Sequence, residues 1–214
     1  MSKPMARDLV YEHILEQITA GRLSPHEKLE EKTISEMMEV SRTPVREALK
    51  KLEIDGYVTI SPRKGCTVRT YSPSEIDDIY RILAKLEGLA LELAAPHLGK
   101  GELSQLRKIT EKIEAAYRKN RYREAWEENL KFHFLIAHLS GNGALEELIR
   151  QSRRKVHLYR YFQVTIGRMD EYAHDHWGIL DALGKKEFGT AGKRMESHVD
   201  RIRRIISDFH KNIS

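Results

Sequence analysis

The sequence predicts a mostly α-helical protein in two parts: three short helices closed by a small β-hairpin, then an antiparallel bundle of six helices with room for a seventh. Three observations carry that expectation. Read as a helix, residues 42–52 place Arg42, Arg46 and Lys50 on one face and Val45, Ala48, Leu49 and Leu52 on the other. Two short β-like runs, 57–60 and 66–69, flank a turn rich in glycine and cations. Beyond residue 73 the apolar residues recur at helical spacing, interrupted only by short links.

In chain order, Val10, Ile14 and Ile18 mark a first amphipathic helix that stops near Gly21. After the turn at Ser24-Pro25, residues 29–38 read as a second short helix. Val40-Ser41 leaves only a tight turn before the third, which is helix-turn-helix spacing. Ser41 or Thr43 can cap that third helix, Pro44 sits in its first turn, and Gly56 closes its far end. Tyr57-Val58-Thr59-Ile60 and Cys66-Thr67-Val68-Arg69, joined by Ser61-Pro62-Arg63-Lys64-Gly65, add a basic hairpin. Three helices and such a hairpin make a winged helix-turn-helix. A short helix with one apolar and one arginine-bearing side suits a DNA major groove, since arginine can grip guanine O6 and N7 in a bidentate fork. The alternative is a surface helix with a solvated charged face.

The polar stretch at Arg69–Pro73 sets the expected boundary: a winged domain over residues 1–70, a linker over 71–73 and an all-helical domain over 74–214. Ile76, Ile79, Tyr80, Leu83, Leu86, Ala90 and Leu93 define a long helix ending before Pro96, and Leu103 to Ala116 the next. A third runs from about Tyr122 to Ser140, where Gly141-Asn142-Gly143 stops it. A fourth begins at Leu145 and ends near Gly167, a fifth spans Glu171 to Leu183, and a sixth Glu187 to Phe209. His133, His176 and His198 fall on the inward faces of three of these helices, and Asn129 lies one turn before His133. Such imidazoles are either hydrogen-bonded core residues or, together with the amide oxygen, lone-pair donors converging on a metal.

Composition bounds the partners. The 214 residues allow two modest domains, and the net charge of +5 favours an anionic partner. Residues 1–70 carry 12 Lys+Arg against 11 Asp+Glu, so DNA docking would rely on local pattern rather than overall charge. A single cysteine, Cys66, excludes an internal disulfide and any multi-cysteine zinc site. Its expected role is a small hairpin residue, with a redox switch as the lesser alternative. The N-terminus lacks a signal-peptide apolar region and no run reaches membrane-span length, which predicts a cytoplasmic protein without a membrane partner.

Leu29-Glu30, Val40 through Leu49, Leu52-Glu53, Gly56-Tyr57-Val58 and Gly65-Cys66-Thr67-Val68 closely resemble the GntR-type bacterial transcription regulators, in the branch named after FadR. The likeness runs without a gap over nearly all of residues 8–70. It implies that Arg42 and Arg46 contact bases, that Thr43 touches the backbone, and that Lys64-Gly65 brings the wing tip to the minor groove. Lys32 stands at a further DNA-contacting position, where the best-known member has arginine. Lysine neutralises a phosphate but cannot fork onto a guanine. Asn129 through His133, Ser140-Gly141-Asn142, His176 through Leu183 and Met195 through His198 resemble that branch's effector-binding FCD domain. The resemblance implies a divalent metal on Asn129, His133, His176 and His198, zinc first with nickel or manganese as alternatives. Leu83 replaces the arginine that the family often carries four residues before Glu87. Arg81, Arg150, Arg153 and Arg154 are therefore the candidates to receive a carboxylate effector.

The expected function is that of a homodimeric transcription regulator rather than an enzyme: a repressor of a roughly palindromic DNA operator, released by a small organic acid bound in a metal-containing helical domain. Two rivals remain. A metal-dependent enzyme fused to a DNA-binding domain would need a general base, and no Glu or Asp stands at a motif position near the expected ligands. A sensor of the metal itself would respond to chelator alone.

Overall fold

Val10, Tyr11, Ile14 and Ile18 line the buried side of α1 (Ala6–Thr19), at the spacing that made it a helix in sequence. A computed structural model describes residues 5–158 and 169–211. They fall into two units, residues 5–72 with 154–158 and residues 73–153 with 169–211. After α1 the first unit adds β1 (Lys28–Leu29), α2 (Glu31–Met37), α3 (Arg42–Ile54), β2 (Val58–Ser61) and β3 (Gly65–Val68). The strands form one antiparallel sheet in the order β1-β3-β2, with Val58 opposite Val68 and Leu29 opposite Cys66. The hairpin was expected. β1 was not: its two residues are too few to show a period-2 pattern.

Val45, Ala48, Leu49 and Leu52 of α3 pack with Val10, Ile14, Leu29, Ile34 and Val58 into the unit's core. Cys66 is part of that core, and burial pushes its thiol up to about 12, so it packs as a small protonated residue rather than a reactive thiolate. The turn between α2 and α3 is made without glycine. Glu39 takes φ 54°, Val40 N–H returns to Ser35 O at 3.1 Å, and Ser35 Oγ donates to Val40 O at 2.6 Å. Ser41 holds the N-cap position of α3 in extended geometry without a side-chain cap bond, correcting the expected cap. The far end of α3 follows expectation. Gly56 sits at φ +81°, its N–H reaches Glu53 O, and Tyr57 N–H reaches Leu52 O, the paired bonds of a Schellman motif.

The rest of the described chain is helical: α4 (Pro73–Ala94), a short 3-10 turn (Ala95–His97), α5 (Lys100–Arg118), α6 (Tyr122–Leu139), α7 (Gly143–Leu158), α8 (Met169–Gly184) and α9 (Phe188–Lys211), of which all but the end of α7 from Arg154 belongs to the second unit. The expected end of the fourth bundle helix, near Gly167, lies outside the described residues. α4 packs against α6 and α9, α5 against α6 and α8, and α8 against α9. Glycines make room for side chains between α4 and α9. A Cβ on Gly88 of α4 would stand 2.5 Å from Glu196 Cγ of α9, and one on Gly192 of α9 would stand 2.7 Å from Glu92 Cγ of α4. Asn142 starts α7 by accepting Leu145 N–H at 3.1 Å, just after Gly141 turns the chain at φ +67°. Among the described residues no helix is long and apolar enough to cross a membrane.

Gly56 supplies a stability test. Alanine there would be strained at φ +81°, and its Cβ would meet Tyr71 Oη at 2.7 Å. That hydroxyl donates to Gly56 O at 3.0 Å. Gly56→Ala is expected to destabilise the first unit by about 1–3 kcal/mol, read as a lowered unfolding midpoint in denaturant.

Candidate DNA-reading face and metal centre

On α3 the apolar stripe faces the core, which leaves Arg42, Thr43, Arg46 and Lys50 exposed on the other side. Lys32 is exposed on α2, with Nζ 3.9 Å from Glu36. Lys64 and Gly65 are exposed at the turn between β2 and β3, where Gly65 takes φ +72° and Lys64 N–H is held by Ser61 Oγ at 3.1 Å. Each sequence-predicted DNA contact therefore lies on the surface of the first unit. One partner was not anticipated: Arg46 Nε donates to Glu31 Oε2 at 2.6 Å. Both side chains are solvated, and an ion pair of this kind contributes at most about 1 kcal/mol. Glu31 holds the guanidinium in place without locking it away from a nucleic acid.

In the second unit, α6, α8 and α9 each bring one histidine to a common point. His133, His176 and His198 are fully buried, and one ligand atom from each lies within 4.8 Å of the others. Ring centroids are 5.7 Å apart for His133–His176, 5.4 Å for His133–His198 and 4.6 Å for His176–His198. Phe132 walls one side, with its centroid 4.3 Å from that of His176. Asn129 is buried on α6 one turn before His133.

Burial and the neighbouring Arg153 guanidinium pull His133 down to about 4 against the opposing effect of Glu87. Burial, then the nearby His198, holds His176 well below 6.5. Both rings are thus neutral at pH 7 and carry the lone pair that a metal requires. Neither nitrogen of His176 has a hydrogen-bond partner among the described residues. An imidazole always carries at least one N–H or lone pair that burial makes costly to leave unsatisfied, about 1–3 kcal/mol for each such group.

No Glu or Asp stands at a motif position beside these histidines in sequence, yet the fold brings two carboxylates to them. Glu87 of α4 puts Oε2 2.7 Å from His133 Nδ1, a short contact that is off the line of a regular hydrogen bond. Asp175 of α8 puts Oδ2 3.2 Å from His198 Nδ1. Both carboxylates are held by arginine. Arg153 of α7 donates from Nε and Nη2 to the two oxygens of Glu87 at 2.6 and 2.8 Å, while Arg201 Nη2 lies 3.2 Å from Asp175. Although burial alone would raise Glu87, Arg153 keeps its carboxyl well below the usual range, so it stays ionised. Sequence reading missed Glu87 because it lies on another helix. It missed Asp175 because adjacency to His176 says nothing of its contact with His198.

The effector-binding candidates differ in burial and in their partners. Arg153 is buried with Nε and Nη2 committed to Glu87. Arg150, half-buried, forks onto Glu146 Oε1 at 3.0 and 2.7 Å and stacks 4.6 Å over Phe134. Arg81 is exposed and bonded to Asp77 at 2.7 Å, and Arg154 falls in the segment grouped with the first unit.

Residues 6–68 match the bacterial regulatory proteins of the gntR family, and residues 78–201 match the FCD domain. The chain is 30% identical over 190 residues to the HTH-type transcriptional regulator YdhC of Bacillus subtilis, spanning 88% of this chain and 85% of that one. It is 30% identical over 175 residues to the HTH-type transcriptional regulator McbR of Escherichia coli, spanning 80% and 79%. A solved structure of E. coli McbR/YncC superposes with a TM-score of 0.82 at 25% identity, covering 97% of this chain and all of that one.

The buried ion pair predicts a measurable coupling. Arg153→Met strips the buried Glu87 carboxyl of its arginine counter-charge, and is expected to cost about 3–5 kcal/mol in denaturant unfolding. Arg153→Met with Glu87→Leu removes both charges and is expected to cost less than the single substitution. Additive losses would show that the two side chains do not act as a pair.

Proposed function

The chain belongs to the gntR family of bacterial regulatory proteins and carries an FCD domain, and on that footing we propose that it is a homodimeric, cytoplasmic repressor whose operator binding is controlled by a small carboxylate at a metal-containing helical domain. It is a DNA-binding transcription regulator, and the relatives it matches are regulators rather than enzymes. Residues 1–70 bind a short, roughly palindromic operator, 71–73 link, and 74–214 dimerise and receive the effector. In DNA binding, Arg42 and Arg46 read bases, Thr43 and Lys32 meet the backbone, and Lys64-Gly65 carries the wing tip into the minor groove. Two copies are needed because one such module buries only on the order of 600–1,000 Å², too little for strong specificity alone.

The observation that carries the metal reading is the His176 ring. It is buried with neither nitrogen partnered, beside two further buried imidazoles whose ligand atoms lie within 4.8 Å. Hydrogen-bonded core histidines would have partners; ligands await an ion. Asn129, His133, His176 and His198 are the proposed donors, with zinc the first choice on three imidazoles, and nickel or manganese next. A bound ion would offer open positions to an effector carboxylate. Arg81, Arg150, Arg153 and Arg154 remain the candidates for the effector's second anchor, of which Arg150 combines partial exposure with a place on α7 one turn before Arg153. A ligand regulates only through unequal affinity for the DNA-competent and incompetent arrangements.

Operator binding separates the DNA roles. Arg46→Ala is expected to lose about 1–3 kcal/mol of discrimination at one base position. Lys64→Ala is expected to weaken all sequences alike and to lower the log–log salt slope by about 0.9. Equal preference of Arg46→Ala and wild type for operator over random duplex would remove α3 as the reader.

Metal analysis tests the second unit. Unchelated protein is expected to hold about one divalent ion per subunit, and His176→Ala to lose most of it while keeping its helical circular dichroism. Absence of stoichiometric metal in the wild type would return the trio to the core. A chelator titration of operator binding, with and without added carboxylate, distinguishes a metal that receives an effector from a metal that is itself the signal.

A further inference from the structure

The three buried histidines are not equivalent. His133 and His198 each turn Nδ1 toward a carboxylate oxygen, Glu87 at 2.7 Å and Asp175 at 3.2 Å. His176 has no such neighbour, and its ring meets Phe132 and the other two imidazoles instead. Each carboxylate is in turn fixed by an arginine, Arg153 from α7 or Arg201 from α9. A ring nitrogen 2.7 Å from an ionised carboxylate must carry its proton, because two lone pairs at that distance repel. The proton on Nδ1 leaves the lone pair on Nε2, at the opposite edge of the ring.

We propose that Glu87 and Asp175, neither of them a ligand, are positioning residues that fix the tautomer and orientation of His133 and His198 so that Nε2 of each serves the shared metal site. The inference rests on the metal reading and adds to it a division of labour. Two rings are pre-set by arginine-held carboxylates. The third, His176, has no carboxylate at either nitrogen among the described residues and is positioned by its ring contacts. Carboxylates in this position also raise the basicity of the imidazole they face, so their loss weakens the ligand as well as its aim. Arg153 and Arg201 act one step further out, keeping each carboxylate charged and pointed.

The test is a Co2+ titration of the full-length protein followed by visible absorption, with Zn2+ competition, on wild type, Asp175→Asn and Glu87→Gln. Each variant is expected to bind both ions 10–100-fold more weakly. Each is also expected to alter the shape of the Co2+ absorption bands, which report ligand geometry and which a general loss of stability would not change. Glu87→Gln strips Arg153 of its counter-charge in the core. Should that variant not fold, Asp175→Asn decides, since Asp175 and Arg201 are partly solvated and no buried charge is stranded. A wild type that takes up neither ion overturns this inference together with the metal reading. A wild type that binds one ion, with a folded variant matching it in affinity and spectrum, overturns the role of that carboxylate and leaves the metal reading standing.

Discussion

Arg153 and Glu87 face each other through two short charge-assisted bonds at a place where neither side chain meets solvent. Removing a guanidinium and a carboxylate from water costs several kcal/mol per ion, and the mutual attraction repays that only with good geometry on both sides. The bidentate fork supplies the geometry, and His133 Nδ1 stands 2.7 Å from Glu87 Oε2. Three helices are tied by this one carboxylate: α4 supplies it, α7 the arginine and α6 the histidine. The helix register is thereby constrained more tightly than apolar packing alone would require. A slip of α4 by one residue would move Glu87 about 100° around the helix and strand two charges.

The same α4 also packs glutamate side chains over glycines at its contact with α9. Gly88, next to Glu87, accommodates Glu196 of α9, and Gly192 of α9 accommodates Glu92 one turn further along α4. Because His198 is six residues beyond Gly192 on α9, this close approach helps set where that imidazole enters the trio. The buried ion pair and the contact with α9 thus both depend on how α4 is rotated in the unit.

Much of this architecture was legible in sequence because it rests on local periodicity. The split of α3 into a buried apolar stripe and an exposed arginine stripe follows from spacing alone, as does the inward placement of all three histidines. Gly56 advertised its own turn. Glu39 did not: it adopts φ 54° although glutamate carries no sequence signal for that conformation, and the Schellman-type return of Val40 to Ser35 overrides the preference. β1 escaped because two residues make no pattern. Glu87 and Asp175 escaped for a deeper reason. Their significance is a contact between helices far apart in sequence, and no period along one chain encodes which rotation two packed helices share.

Charge carries the argument from that contact toward the ligand class. Within the proposed site every donor is neutral, three imidazoles and an amide, so nothing in the first coordination sphere offsets a divalent ion. The nearest full negative charges, Glu87 and Asp175, are each matched by an arginine at 2.6–3.2 Å. A dication placed among these groups would therefore retain most of its positive potential in a buried, low-dielectric setting, where an uncompensated charge is least tolerable. Relief can come from hydroxide, from an inorganic anion or from the carboxylate of a bound metabolite. A dication in this setting therefore calls for an anion, and the carboxylate of the proposed effector is one that would supply it.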